Sequence, residues 1–258
     1  MDDLRGRVII VTGASRGIGK GLALGLAQLG AKVVCAARTH TPGAGPDALP
    51  GSITETTDAI RAAGGTALAI RCDIGKPADI EDLVETTVRE LGRVDVLVNN
   101  AMAGTRASFD ESTVEQWDTS MRINVRSLYL LCRAVVPHMT KLGGGSIVNI
   151  SSGGADHARA PFMPPGYLFY VVAKAAMERF TSALAPELRP LGITVNALRP
   201  GAVKTEMSTR ELGEDFDWTS WRTPDSVVAP VAALAAQIDT DFTGRVLDVS
   251  GFGKTWPE

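Results

Sequence analysis

Short apolar, often β-branched runs recur along the chain: "RVIIVT" over 7–12, "AKVVCAA" over 31–37, "TALAIRC" over 66–72, "VDVLVN" over 94–99, "SIVNIS" over 146–151, "ITVNAL" over 193–198 and "RVLDVS" over 245–250. Each predicts a strand. Apolar residues follow one another in these runs without a polar break at every second position, so both faces of the sheet must be covered. The segments between them have helical periodicity. "PADIEDLVETTVREL" has Pro77 near its start and Ile80, Leu83, Val84, Val88 and Leu91 at helical spacing, and "GLALGLAQLG" reads as a helix after the first strand. This alternation predicts an α/β fold: a single Rossmann-type doubly wound domain with a seven-stranded parallel sheet and helices on both faces. Right-handed crossovers then bring the loops after the strands to one sheet edge, where ligands bind in such folds.

Two stretches interrupt the pattern. "THTPGAGPDALPGS" (39–52) reads as a loop insertion on the binding edge, and "DHARAPFMPPG" (156–166) separates the fifth strand from the next helix. Pro186, inside "AAMERFTSALAPELRPL", removes a helical hydrogen bond and should bend or end that helix. No change of composition divides the chain, so residues 1–258 read as one domain.

Composition adds exclusions. A net charge of −3 leaves no basic stripe for nucleic acid. The acidic N-terminus and its short apolar run fit neither a signal nor a transit peptide, and no stretch has the length of a membrane span. Cys35, Cys72 and Cys132 are odd in number and lie in apolar surroundings, as buried free thiols of a reducing cytoplasm would. His40, His138 and His157 come without CxxC or HxxxH spacing, so no metal site is expected. Cys132 and His138 fit a helix packed on the sheet or on a second subunit, and His157 reads as a loop histidine, solvated or near a substrate.

Candidate chemistry starts at "VTGASRGIGKGLA", which opens a helix directly after the first strand. Gly13, Gly17 and Gly19, with the intervening Ser15, Arg16 and Ile18, put backbone N–H groups and a helix N-terminus where a pyrophosphate can approach. A glycine turn needed only for packing is the alternative. The second strand ends in "AAR", so Arg38 stands where a carboxylate would otherwise accept the adenosine ribose hydroxyls. Arg38 and Arg16 could together pair with a 2′-phosphate, which favours NADP(H) over NAD(H); a solvated surface role stays open for each. The missing acid also argues against S-adenosylmethionine. Asp73, after the third strand, could accept from an adenine amino group or simply form a turn. "NNAMAG" after the fourth strand offers Asn100 and Ala101 to the cofactor, or is another turn.

"TGASRGIG", "NNA", "IN" at 123–124, "NISS", "YVVAK" and "RPG" together resemble the short-chain dehydrogenases/reductases over roughly residues 5 to 252. The proline-rich insertion is similar to the branch containing hydroxysteroid dehydrogenase-like proteins. The family's tyrosine-three-residues-lysine pattern fits Tyr170 and Lys174 and fails for Tyr167. The pair lies on one helix face. At about 4 Å and an effective dielectric near 20, the ammonium would contribute roughly 4 kcal/mol, pulling a phenol from about 10 toward neutrality before opposing desolvation.

The resemblance further implies Ser152 as hydrogen-bond donor to the substrate oxygen, although 18 residues separate it from Tyr170, more than is common. Strand alternation turns the neighbouring Ser151 the other way. Asn124 would hold a water that links the lysine to solvent, or serve as a structural asparagine at a helix kink. Pro200, Gly201, Val203 and Thr205 of "RPGAVKT" match the turn passing the nicotinamide, and Lys174 would hold its ribose. Residues 206–222 form a substrate cap whose Phe216, Trp218 and Trp221 grip an apolar substrate or pack the cap onto the body.

The expectation is an NADP(H)-dependent oxidoreductase of carbonyl or secondary alcohol substrates, assembled as a homodimer or homotetramer. A cofactor-binding scaffold or sensor without turnover is the alternative. A nucleotide-dependent epimerase or dehydratase would need a larger C-terminal domain.

Overall fold

The structure is a computed structural model describing residues 4–43, 49–104, 106–158 and 164–256. Seven strands, β1 (Val8–Thr12), β2 (Lys32–Ala37), β3 (Thr66–Arg71), β4 (Val96–Asn99), β5 (Gly145–Ile150), β6 (Ile193–Arg199) and β7 (Val246–Asp248), form one parallel sheet in the order β3-β2-β1-β4-β5-β6-β7. The alternation of residues within β1 shows why the strands are apolar throughout. Ile9 and Val11 point into one core with Leu22 and Leu26 of α1 (Gly17–Gln28), Ile53 and Ile60 of α2 (Ile53–Ala62), and a C-terminal helix. Val8 and Ile10 point into the opposite core with Ile80 and Leu83 of α3 (Pro77–Leu91).

The chain crosses back at β1, whose neighbours are β2 and β4. Its C-terminal end is therefore the switch point of the sheet. There Thr12 Oγ1 accepts from the backbone N–H of Asn100 (3.0 Å) and Ala101 (3.1 Å), and the Asn100 amide donates to Thr12 O (2.9 Å). These bonds lash the loop after β4 to the end of β1.

Between β4 and β5 the chain forms α4 (Val114–Met121), a π-helical turn over Arg122–Arg126 and α5 (Ser127–Lys141). Next come α6 (Leu168–Leu188) before β6, then α7 (Glu206–Leu212) and α8 (Val228–Ala236) before β7. Pro186 does not break α6 at its own position; the helix ends two residues later, at Leu188. Of the insertion at 39–52, residues 39–43 and 49–52 join β2 to α2 as a loop, and 44–48 lie outside the described residues, as do 159–163 of the second interruption.

All three cysteines are free and buried, and burial pushes each thiol up to about 12. None is a nucleophile at neutral pH. Among the described residues no helix is long and apolar enough to cross a membrane, and no cluster of His, Cys, Asp or Glu could hold a metal ion.

Candidate active site

A cavity of about 780 Å³ opens along the C-terminal ends of the strands. It is lined by the β1–α1 turn (Gly13, Ser15, Arg16, Gly17, Ile18, Gly19), by Arg38, Asp73, Asn100 and Ala101, and by Ser152, Tyr170, Lys174, Pro200, Gly201, Val203 and Thr205. Seven segments distant in sequence thus converge. Asn124 stands apart, beside a much smaller cavity of about 10 Å³ shared with Thr12 and Asn99.

At the β1–α1 turn the glycines have structural duties of their own. Gly17 has a left-handed φ of 55°, and a Cβ on Gly19 would lie 2.2 Å from the Gly13 carbonyl oxygen. The turn nevertheless accepts an anion: the Gly17 N–H donates to Glu206 Oε2 of α7 at 2.8 Å. A carboxylate on this amide shows that the residues fit a phosphate-bearing nucleotide. Arg16 reaches across the mouth of the β2–α2 loop, donating to Pro50 O (3.0 Å), Leu49 O (3.3 Å) and Thr39 Oγ1 (3.2 Å). It staples that loop to the glycine turn. Asp73 Oδ1 accepts from Gly75 N at 2.9 Å, the turn role foreseen for it, while the residue also lines the cavity.

At the other end Ser152 follows β5, and Tyr170 and Lys174 occupy the first turns of α6. Ser151 also lines the cavity, but its hydroxyl is engaged elsewhere, donating to Glu178 Oε1 at 2.6 Å. Tyr167 stacks edge-on against Tyr170, with ring centroids 6.1 Å apart. The expectation that Lys174 depresses the phenol is corrected here. The amine lies 5.9 Å from the Tyr170 ring centroid and donates to Ile150 O at 2.6 Å. Burial pushes the Tyr170 hydroxyl above its ordinary value, opposed chiefly by a hydrogen bond with Ser152. Desolvation outweighs neighbouring charge.

Burial also lowers the Lys174 amine to about 8, against an upward pull from Glu178. The sign of the resulting pH dependence follows from an unfolded value near 10.5. From about 8 to 10.5 the unfolded chain holds a proton that the folded one has released, so stability rises with pH. Relative to Lys174→Met, the ligand-free protein should gain about 1 kcal/mol per pH unit in that window, read by urea unfolding at pH 8 and 10. A flat difference between the two proteins would contradict the buried amine.

Asn124 is buried in the π-helical turn, where its side chain accepts from Ala103 N (2.8 Å) and donates to Ala103 O (3.0 Å) and Ser120 Oγ (3.2 Å). It clamps the loop after β4, as a structural asparagine at a helix irregularity would. In the segment after β6, Phe216, Trp218 and Trp221 pack mutually edge-to-face with centroids 4.9, 5.8 and 5.1 Å apart, and only Trp221 of the three lines the cavity.

Among the charged residues that line the cavity, Arg106 in the loop after β4 was not singled out from the sequence, and Glu206 and Glu211 of α7 were read only as part of the 206–222 cap, with no role of their own. Each is an isolated charge outside any motif, and only their meeting in space marks them.

Residues 7–215 match the short chain dehydrogenase family model. The chain belongs to the short chain dehydrogenase family. It is 34% identical to gluconate 5-dehydrogenase of Gluconobacter oxydans, over 96% of this chain and 94% of that protein. Identity to 3beta-hydroxysteroid dehydrogenase 1 of Eggerthella lenta is 30%, over 99% and 97%. A short chain dehydrogenase from Burkholderia cenocepacia in complex with NADP superposes with a TM-score of 0.80 at 29% identity, covering 96% of this chain and 97% of that one. The protein is accordingly an oxidoreductase of CH–OH and C=O groups that works with a nicotinamide cofactor.

Proposed function

We propose that this short chain dehydrogenase is NADP(H)-dependent and that Tyr170 exchanges the proton when a carbonyl is reduced or a secondary alcohol oxidised. The observation that carries the reading is the placement of Tyr170, Ser152 and Lys174 in the same cavity as the anion-accepting Gly17 amide. Bound nicotinamide supplies or takes up the hydride at carbon. Tyr170 is protonated at neutral pH, the form that the acid role in reduction needs, although burial makes it a weaker acid than a free phenol: it would donate to the oxygen as negative charge develops there, and Ser152 would steady that charge with a hydrogen bond. Lys174, anchored on Ile150 O, has further N–H donors for the nicotinamide ribose.

Asn124 would serve by holding the loop and its small polar cavity, where buried Asn99 Oδ1 has no partner among the described residues and about one water fits. Residues 206–222 would cap the substrate, with Trp221 as its aromatic wall. A homodimer or homotetramer would use the outer face of α5, where Tyr129 is 48% exposed. The three protonated thiols suit a reducing cytoplasm.

Arg38, at the adenosine end, would pair with the 2′-phosphate, while Arg16 orders the adjoining loop. Charge-assisted hydrogen bonds of this kind contribute roughly 1.5–3 kcal/mol, so Arg38→Ala should lower the ratio of NADPH to NADH affinity at least about tenfold. Titrations with both nucleotides read this directly, and an unchanged ratio would end the NADP assignment.

A further inference from the structure

The two carboxylates of α7 that reach the cavity each sit on a group suited to a ligand anion. Glu206 occupies the Gly17 N–H at the turn that would hold the cofactor diphosphate. One turn further along, Glu211 Oε2 lies 2.5 Å from Arg106 Nη2. Arg106, Glu211 and Tyr167 all line the cavity beside Tyr170.

Arg106 is well placed to hold a substrate. Its guanidinium lies over the Tyr167 ring, 3.8 Å from the centroid, and that ring stands 6.1 Å from the ring of Tyr170. The cation is therefore fixed one aromatic ring away from the proton donor, a separation that a short carbon chain spans. Stacking leaves the in-plane N–H edges of the guanidinium directed outward, the geometry that grips a carboxylate. The side chains of Arg106 and Glu211 are 38% and 25% exposed, so the pair lies at the rim, where exchange of one carboxylate for another costs little burial. Met102, Met207 and Trp221 add apolar surface to the cavity lining.

We infer that Arg106 is the specificity-determining residue for a carboxylate on the substrate, so that the preferred substrates are oxo acids and the corresponding hydroxy acids, with Glu211 holding the guanidinium until such a substrate displaces it. Glu211 on Arg106 thus shows the position that the substrate carboxylate takes. The inference rests on the reductase reading above.

The test compares straight-chain oxo acids of four to eight carbons with their methyl esters, using NADPH as reductant. The wild-type protein should turn over an acid with at least about tenfold higher kcat/KM than its ester, as the loss of one charge-assisted contact implies. Arg106→Gln should reduce this acid-to-ester ratio at least about tenfold, and Glu211→Gln, which frees the guanidinium, should raise it. Thermal shifts of the NADP-loaded proteins by the same acids give a second reading that needs no turnover and shows that each variant is folded.

Turnover with a ratio near one, or a ratio that neither variant moves, overturns the carboxylate assignment and leaves the reductase reading intact. Acid binding that depends on Arg106 without any NADPH oxidation supports the carboxylate site and overturns the reductase reading. Neither turnover nor Arg106-dependent binding overturns both.

Discussion

Replacing Tyr170 with phenylalanine should lower kcat by about a thousandfold while NADPH binding is retained, if Tyr170 is the proposed acid, because a positioned general acid contributes roughly 10²–10⁴ in rate. The substitution removes one oxygen and keeps the ring that packs against Tyr167. Lys174 should keep its bond to Ile150 O, so its place in the cavity is preserved. Carbonyl-dependent NADPH oxidation measures the loss, and nucleotide titration measures the retained affinity. A Tyr167→Phe control keeps most of the rate, since the Tyr167 hydroxyl is assigned no proton transfer. Equal activity of wild type and Tyr170→Phe would dismiss Tyr170 as the acid, whereas nucleotide binding without turnover by either protein would favour the scaffold alternative.

Loss of the Glu178 carboxylate should be the most damaging change to the fold around the site. Glu178 Oε1 accepts from Ser151 Oγ at 2.6 Å and from Arg199 Nε at 2.8 Å, and Oε2 accepts from Arg199 Nη2 at 2.8 Å. Arg199 also reaches Asp156 at 3.0 Å, so one guanidinium ties β6 to α6 and to the turn after Ser152. The Arg199 and Glu178 side chains are only 15% and 12% exposed. Breaking such a pair leaves a buried cation short of its partner, at a cost of about 3 kcal/mol. Glu178→Ala should therefore lose about 3 kcal/mol in urea unfolding, with the Arg199→Met, Glu178→Leu double variant recovering part of it. Glu178 also pulls the Lys174 amine upward, so its removal should move that titration below about 8. A loss within a few tenths of a kcal/mol would mean that the fork adds nothing to the fold.

The fold was legible because its signals are local. All seven strands were readable from apolar runs, and α3 spans Pro77–Leu91, the segment whose periodicity and proline announced it. The glycine turn and the Tyr170–Lys174 spacing were legible for the same reason: each lies within a few consecutive residues. Pairings between distant segments carry no such imprint. Gly17 meets Glu206 across 189 positions and Arg106 meets Glu211 across 105, so neither shows in any periodicity. The direction of the Tyr170 shift was misread because charge spacing is visible in a helix pattern and the depth of burial is not. Asn124 was readable as a kink asparagine, but its bonds to Ala103 depend on where the loop after β4 comes to rest.

The buried thiols make the molecule its own reporter of opening. Cys35 belongs to β2, Cys72 follows β3, and Cys132 belongs to α5, so the three sample both cores of the sheet. An alkylating reagent meets no thiolate in the closed protein and meets an ordinary one in each segment that has come loose. The order in which the three positions become labelled is therefore a map of which layer of the architecture yields first.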